Sequence, residues 1–170
     1  NLVWNNWTPL HYAAYNNKWR MVKLLLAQSA INVNSKTNMN STPLHMSCVR
    51  GATESCKELL SFSIQKTNEL GTSEIKYPID VNSIDDCQMT PLHYAAQEGF
   101  AEIVHALINF PGIDVNCRTS SGNTPLHLAV ENKHKDIIMD LLSYKDIKPA
   151  LLNENIQMII LLMEFTYYYI

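Results

Sequence analysis

One four-residue string constrains this chain more than anything else in it. Thr8-Pro9-Leu10-His11 returns as Thr42-Pro43-Leu44-His45, Thr90-Pro91-Leu92-His93 and Thr124-Pro125-Leu126-His127, at spacings of 34, 48 and 34 residues. A string that recurs in this way marks a stack of like units rather than one globular core. Each copy also carries a local instruction. Thr is a good helix N-cap, and Pro suits the first helical position, where its missing N–H costs nothing. A short helix is therefore predicted to begin at each Thr. Small residues follow, at Ala13-Ala14, Ser47-Cys48, Ala95-Ala96 and Ala129-Val130, and let neighbours approach that helix closely. A turn comes next, at Asn17, Gly51, Gly99 and Lys133. The first three tolerate a left-handed backbone; Lys133 does so poorly.

A second helix is expected after each turn, because apolar pairs recur one helical turn apart. These are Met21-Val22 with Leu25-Leu26, Ile103-Val104 with Leu107-Ile108, and Ile137-Ile138 with Leu141-Leu142. Extended, turn-rich segments close the units at Ile31-Asn32-Val33-Asn34, Ile79-Asp80-Val81-Asn82 and Ile113-Asp114-Val115-Asn116. One such unit buries too little apolar surface to offset the ordering of its own backbone, so neighbouring units must supply the rest.

Motif, turn and apolar quartet agree in register, and the pattern resembles the ankyrin repeat, a β-turn followed by two antiparallel helices. The resemblance runs from about Asn5 to Ser143. It implies an all-α solenoid with a hairpin and two antiparallel helices per repeat. It further implies an L-shaped stack whose hairpin tips and first helices line a concave face. Residues 1–155 read as the array, with four recognisable repeats, and residues 156–170 as a degenerate or truncated fifth.

Three departures from the pattern stand out. The second repeat is longer by 14 residues (48 − 34), a surplus lying near residues 61–78. It is expected to be a surface loop, or a partner-contact loop gripping through Phe62, Ile64 and Tyr77. The position two before each Thr holds Asn6, Asn40, Gln88 and Gly122. Asn tolerates a left-handed turn but Gln88 does not readily, so strain or a changed turn is expected there. No fifth copy of the motif appears near Met158, and residues 158–170 are almost wholly apolar. That run is too short for a transmembrane helix and contains Glu164. It reads as a terminal helix docked on repeat four, or as a patch that joins a neighbouring protein or a second copy.

Composition narrows the function classes. The 170 residues are 46% hydrophobic and 17% charged, enough to bury a core, and the net charge is −3. That balance supplies no basic face for nucleic acid, and no run of like charges suggests an anionic membrane. Four scattered cysteines without a CxxC pair point to a reducing, intracellular, cytoplasmic setting. The start, Asn-Leu-Val-Trp, has neither an initiator Met nor a signal peptide, and is taken as a cut from a longer protein. Neither GxGxxG nor GxxxxGKS/T occurs, so no nucleotide and no other cofactor is expected.

The six histidines invite a zinc site, but four of them (His11, His45, His93, His127) belong to the motif. In a stack they form a ladder one repeat apart, whereas metal ligands converge within about 2–2.3 Å of one ion. No metal is expected. The resemblance implies that these rings tie each helix start to the adjacent turn. His105 and His134 are expected to be solvated. Cys48 and Cys56 fall in small-residue and apolar slots and read as buried fillers, while Cys87 falls on a hairpin tip. No base stands ready to activate a thiol, and the chain is not expected to be an enzyme. Asn6-Trp7-Thr8 and Asn40-Ser41-Thr42 match the glycosylation sequon only because the repeat generates it. Asn34, Asn82 and Asn116 fill a slot that some ankyrin proteins present for hydroxylation, with a hydrogen bond across the hairpin as their default role.

A partner protein is the remaining expectation. The resemblance places binding residues on the hairpin tips and at the end of each first helix. Repeat one then offers Trp4, Asn5, Trp7, Tyr15 and Asn16, and repeat two Asn38, Met39, Ser41, Val49 and Arg50. Repeat three offers Asp86, Cys87, Met89, Gln97 and Glu98, and repeat four Ser120, Ser121, Asn123, Glu131 and Asn132. The row runs from aromatic and apolar to acidic and polar. Trp4, Trp7, Tyr15 and Arg50 are the expected hot spots, since Trp, Tyr and Arg most often take that role. The alternative for Trp4 and Trp7 is packing against a further repeat upstream. Two other functions stay open: recruiting substrate for a larger enzyme, and self-assembly through residues 156–170.

Overall fold

The computed structural model describes residues 6–28, 30–68, 79–144 and 147, with backbone alone for 63–68. Its eight helices among these residues alternate in two rows. The first row is α1 (Pro9–Tyr15), α3 (Pro43–Arg50), α5 (Pro91–Glu98) and α7 (Pro125–Glu131). The second is α2 (Trp19–Leu26), α4 (Thr53–Asn68), α6 (Ala101–Ile108) and α8 (Lys135–Ser143). Each helix packs on its partner within the repeat and on its counterparts in the repeats before and after, so α1 meets α3, α3 meets α5 and α5 meets α7. No strand occurs among the described residues. The architecture is a helical solenoid, as expected.

Every first helix starts at the motif Thr, which is extended (ψ 164–167°) and hands over to Pro at the first helical position. The motif Leu residues (Leu10, Leu44, Leu92, Leu126) are fully buried, and the small residues behind them are buried too. A single apolar core then runs the length of the array, joined by Val22, Leu26, Leu59, Ile103, Leu107, Ile137 and Leu141. Cys48 and Cys56 are fully buried within it, as the sequence suggests. Burial pushes the Cys48 thiol well above its ordinary range.

The turns between helices take the left-handed backbone at all four places: φ is 50° at Asn17, 65° at Gly51, 83° at Gly99 and 61° at Lys133. Glycine is required at two of them for a second reason. The Phe100 ring would lie 2.6 Å from a Cβ at Gly51, and the His134 ring 2.5 Å from one at Gly99. His134 is therefore not the solvated side chain expected of it. Its Nε2 bonds the Gln97 carbonyl at 2.9 Å and clips repeat four to repeat three. His105 is exposed, as expected.

Two further expectations need correction. The surplus in repeat two is not all loop. Its residues 61–68 prolong α4, because Leu59 and Leu60 are buried and half-buried Phe62 still packs against the core. The rest, residues 69–78 with Tyr77, lies outside the described residues, as do the Ile64 side chain and the terminal segment 156–170. The repeat-one quartet is also only half interior: Val22 and Leu26 are buried, Leu25 is partly covered and Met21 is exposed.

Candidate partner-binding surface

The surface rests on the histidine ladder beneath it. In each repeat the motif Thr N–H points at the His Nδ1, at 3.0 Å for Thr8–His11 and 3.1 Å for both Thr42–His45 and Thr90–His93. The Thr hydroxyl lies 2.8–2.9 Å from the same atom. A nitrogen that accepts from an N–H carries no proton, so the proton of the neutral ring sits on Nε2. That Nε2–H then donates into the next repeat, from His11 to the Ser41 carbonyl (3.1 Å), His45 to Met89 (3.0 Å) and His93 to Asn123 (3.1 Å). His127 makes the same local pair with Thr124. Burial lowers the pKa of all four rings, and brings His93 to about 4. The rungs march along the array. Among the described residues no three His, Cys, Asp or Glu side chains converge on a point that could hold a metal ion.

The carbonyls that receive these bonds belong to the hairpins. Thr37 N–H bonds the Ser41 carbonyl at 2.9 Å, Asp85 that of Met89 at 3.1 Å and Thr119 that of Asn123 at 2.9 Å. The four residues Asn6, Asn40, Gln88 and Gly122 turn the chain with φ of 60, 59, 56 and 83°. Gln88 keeps the left-handed turn rather than replacing it, so the strain is held. A neighbour explains how. Buried Asp85 accepts the N–H groups of Cys87 (2.9 Å) and Met89 (3.0 Å) and the Tyr94 hydroxyl (2.6 Å), and locks that hairpin from inside. Burial, then this bond, raises the Tyr94 pKa.

Successive tips are also joined. Asp86 N–H donates to the Met39 carbonyl (3.2 Å), Ser120 N–H to that of Cys87 (3.0 Å), and the Asn40 amide to the Asp86 carboxylate (2.6 Å). A second line of bonds links the loops that follow the second helices. Asn34 Oδ1 accepts from Asp80 N–H and Asn82 Oδ1 from Asp114 N–H, both at 2.9 Å, and the Asn82 amide donates to the Gly112 carbonyl at 2.7 Å. Asn34 and Asn82 therefore bridge consecutive repeats.

On this frame Trp7, Tyr15 and Arg50 come together. The Trp7 ring stands 5.3 Å from Tyr15, edge-on, and the Arg50 guanidinium lies 4.9 Å from the Tyr15 ring centroid. Trp7 and Tyr15 of repeat one thus meet Arg50 of repeat two across the junction between them. Tyr12, which the tip-and-helix-end rule passed over, completes it at 4.8 Å from Trp7, with 38% of its surface exposed. The signal was present, since Tyr12 and Tyr15 are three apart on a helix and share a face. Exposed Ile84 on repeat three was likewise not picked out by that rule.

Asn16, Asn38, Met39, Asp86, Cys87, Glu98, Ser120, Ser121, Glu131 and Asn132 are exposed as expected, and Val49, Met89, Gln97 and Asn123 are half-buried. Ser41 is a correction. It is buried, because its carbonyl serves both its own hairpin and His11, and it offers no side chain to a partner. Trp4 and Asn5 lie outside the described residues. Cys117 is half-buried; burial, then its bond to the Asp114 carboxylate, lifts its thiol to about 12.

A family model described as ankyrin repeats (3 copies) matches residues 1–69 and again 69–153. The chain belongs to the ankyrin-repeat family. It is similar to a delta-latroinsectotoxin of Latrodectus tredecimguttatus, 43% identical over 72 residues, which are 41% of this chain and 6% of the toxin. An ankyrin repeat domain-containing protein of Stachybotrys chartarum is 30% identical over 149 residues, 83% of this chain and 7% of its own. An ankyrin repeat protein of Vaccinia virus is 40% identical over 47 residues, 28% of this chain and 8% of its own. The chain thus spans less than a tenth of the length of these curated relatives. Ankyrin repeats are in general protein–protein interaction modules and typically not enzymes. No helix among the described residues is long and apolar enough to cross a membrane.

Proposed function

We propose that this array binds another protein along the face made by its hairpin tips and first helices. The partner's main anchor is the Trp7–Tyr12–Tyr15–Arg50 cluster. The observation that carries this reading is that cluster itself. Three aromatic rings and a guanidinium are held together, at least partly exposed, on a hydrogen-bonded frame. Large rigid rings with a polar handle supply contact area at little entropic cost, and Arg and aromatic residues dominate interface energetics. A face already ordered by its own backbone loses little freedom on binding. Around the cluster, Met39 adds an apolar contact, while Asp86, Glu98 and Glu131 give the far end an acidic character. The partner accordingly meets repeats one and two with apolar groups and repeats three and four with polar or basic ones.

The test compares three immobilised forms of the chain in affinity capture from host extract: the native form, Trp7→Ala with Arg50→Ala, and Lys57→Ala on the second-row helices. The rim variant is expected to lose at least about tenfold of the captured partner, with helical circular dichroism unchanged, while Lys57→Ala retains it. Equal capture by all three forms sinks the assignment of this face.

A further inference from the structure

Repeat one is built as an interior repeat, yet no described residue covers its outer flank. The comparison is slot by slot. Pro9 is exposed, whereas its counterparts Pro43, Pro91 and Pro125 are buried. Met21 is 51% exposed, whereas Ser55, Ile103 and Ile137 in the same slot are 0, 0 and 1% exposed. Leu25 is only partly covered where Leu59, Leu107 and Leu141 are fully buried, and Leu24 beside it is 63% exposed. Between α1 and α2 these residues leave a trough of about 750 Å³, lined by Pro9, Tyr12, Ala13, Trp19 and Met21 among others. End units of a solenoid need a polar outer face. This one is apolar.

We propose that this flank is a stacking interface that receives another ankyrin repeat, seated as each repeat from two to four is seated on the one before it. The ground is continuity: the Pro9, Met21 and Leu25 slots are the ones buried in each of repeats two to four. Charge gives the incoming unit a further property. In repeat three, Glu102 reaches back to Lys57 of repeat two at 3.1 Å. Repeat one has Arg20 in the Glu102 slot, at present lying 4.9 Å from the Trp19 ring. The incoming repeat therefore carries an acid where repeat two has Lys57. Tyr12 borders both this flank and the rim cluster, so the test substitutes Met21 and Leu24, which the rim cluster does not use.

The test adds such a unit to the whole chain. Residues 84–117, with His105→Glu to face Arg20, are joined directly ahead of Leu2, so that the added Thr stands 34 residues before Thr8. The thermal midpoint is expected to rise by roughly 5–10 °C in one cooperative transition. Met21→Asp with Leu24→Asp is expected to abolish that rise, yet to move the midpoint of the unextended chain by less than about 2 °C, because both side chains are exposed there. A midpoint unmoved by the added repeat, or a separate second transition, overturns the proposal. So does a gain that survives both Asp substitutions. Two results with the unextended chain overturn it as well: a large loss on Asp substitution, which means the flank is already covered, or a dimer by sedimentation that the Asp pair dissolves.

Discussion

The spine and the rim of this molecule lie a few ångströms apart and obey different rules. In the spine the residues are the same in every repeat: Thr caps, Pro starts, Leu fills, and the His of repeats one to three reaches into the next. On the rim the residues directly above change from repeat to repeat, as Trp7, Ser41, Met89 and Asn123 show at one slot alone. The backbone of that slot is nevertheless constant in repeats two to four, since its carbonyl accepts the histidine Nε2–H bond in each. What repeats is what the fold needs, and what varies is free to be read by a partner.

If that division is right, attacks on the spine cost stability and attacks on the rim cost binding. The largest effect is expected from acid. In the unfolded chain a histidine takes up its proton near pH 6.5, whereas native His93 resists until about 4. Between those values the unfolded state holds more protons, so stability is complete above pH 6.5 and falls as the pH drops toward 4. His93 alone accounts for about 3 kcal/mol at roughly 1.4 kcal/mol per pH unit. The other three rings shift in the same direction and add to the loss. Urea midpoints at pH 7.5, 5.5 and 4.5 read the slope, and a flat profile refutes the neutral ladder. A single rung comes next. His93→Ala removes both the cap and the bridge to Asn123 from a buried site, and is expected to cost roughly 2–4 kcal/mol by denaturant titration. The smallest effect is a gain. Gln88→Gly relieves a left-handed residue at an exposed tip and is expected to stabilise by about 0.5–1 kcal/mol, with the rim otherwise unchanged. A loss there would show that the Asp85 lock depends on the Gln88 side chain.

Most of the spine could be read before any coordinates were known, because it is local chemistry stated four times. Cap, proline and left-handed turn each act within a few residues, and periodicity then supplies the stacking. Even the Lys133 and Gln88 anomalies were visible as mismatches between residue and turn. The rim was harder for a physical reason. How Arg50 of repeat two reaches Tyr15 of repeat one, or how Ser41 sinks to receive His11, depends on packing between repeats, which no period records. His134 shows the same limit: only the absence of a Cβ at Gly99 gives its ring somewhere to lie. The prolonged α4 was concealed by polar Ser61, Ser63 and Gln65, which break the apolar rhythm although Phe62 still reaches the core.

The two lines of bridges, from tip to tip and from Asn34 and Asn82 to the loops beyond them, run side by side along the array. Parallel tethers of fixed length set how far each unit can tilt on its neighbour, as two chains set the pitch of a ladder of slats. Shortening or releasing one line alone changes the bow of the whole row while leaving every slat intact. On the proposed binding face, the asparagine loops would thus tune the spacing of the repeats from a distance.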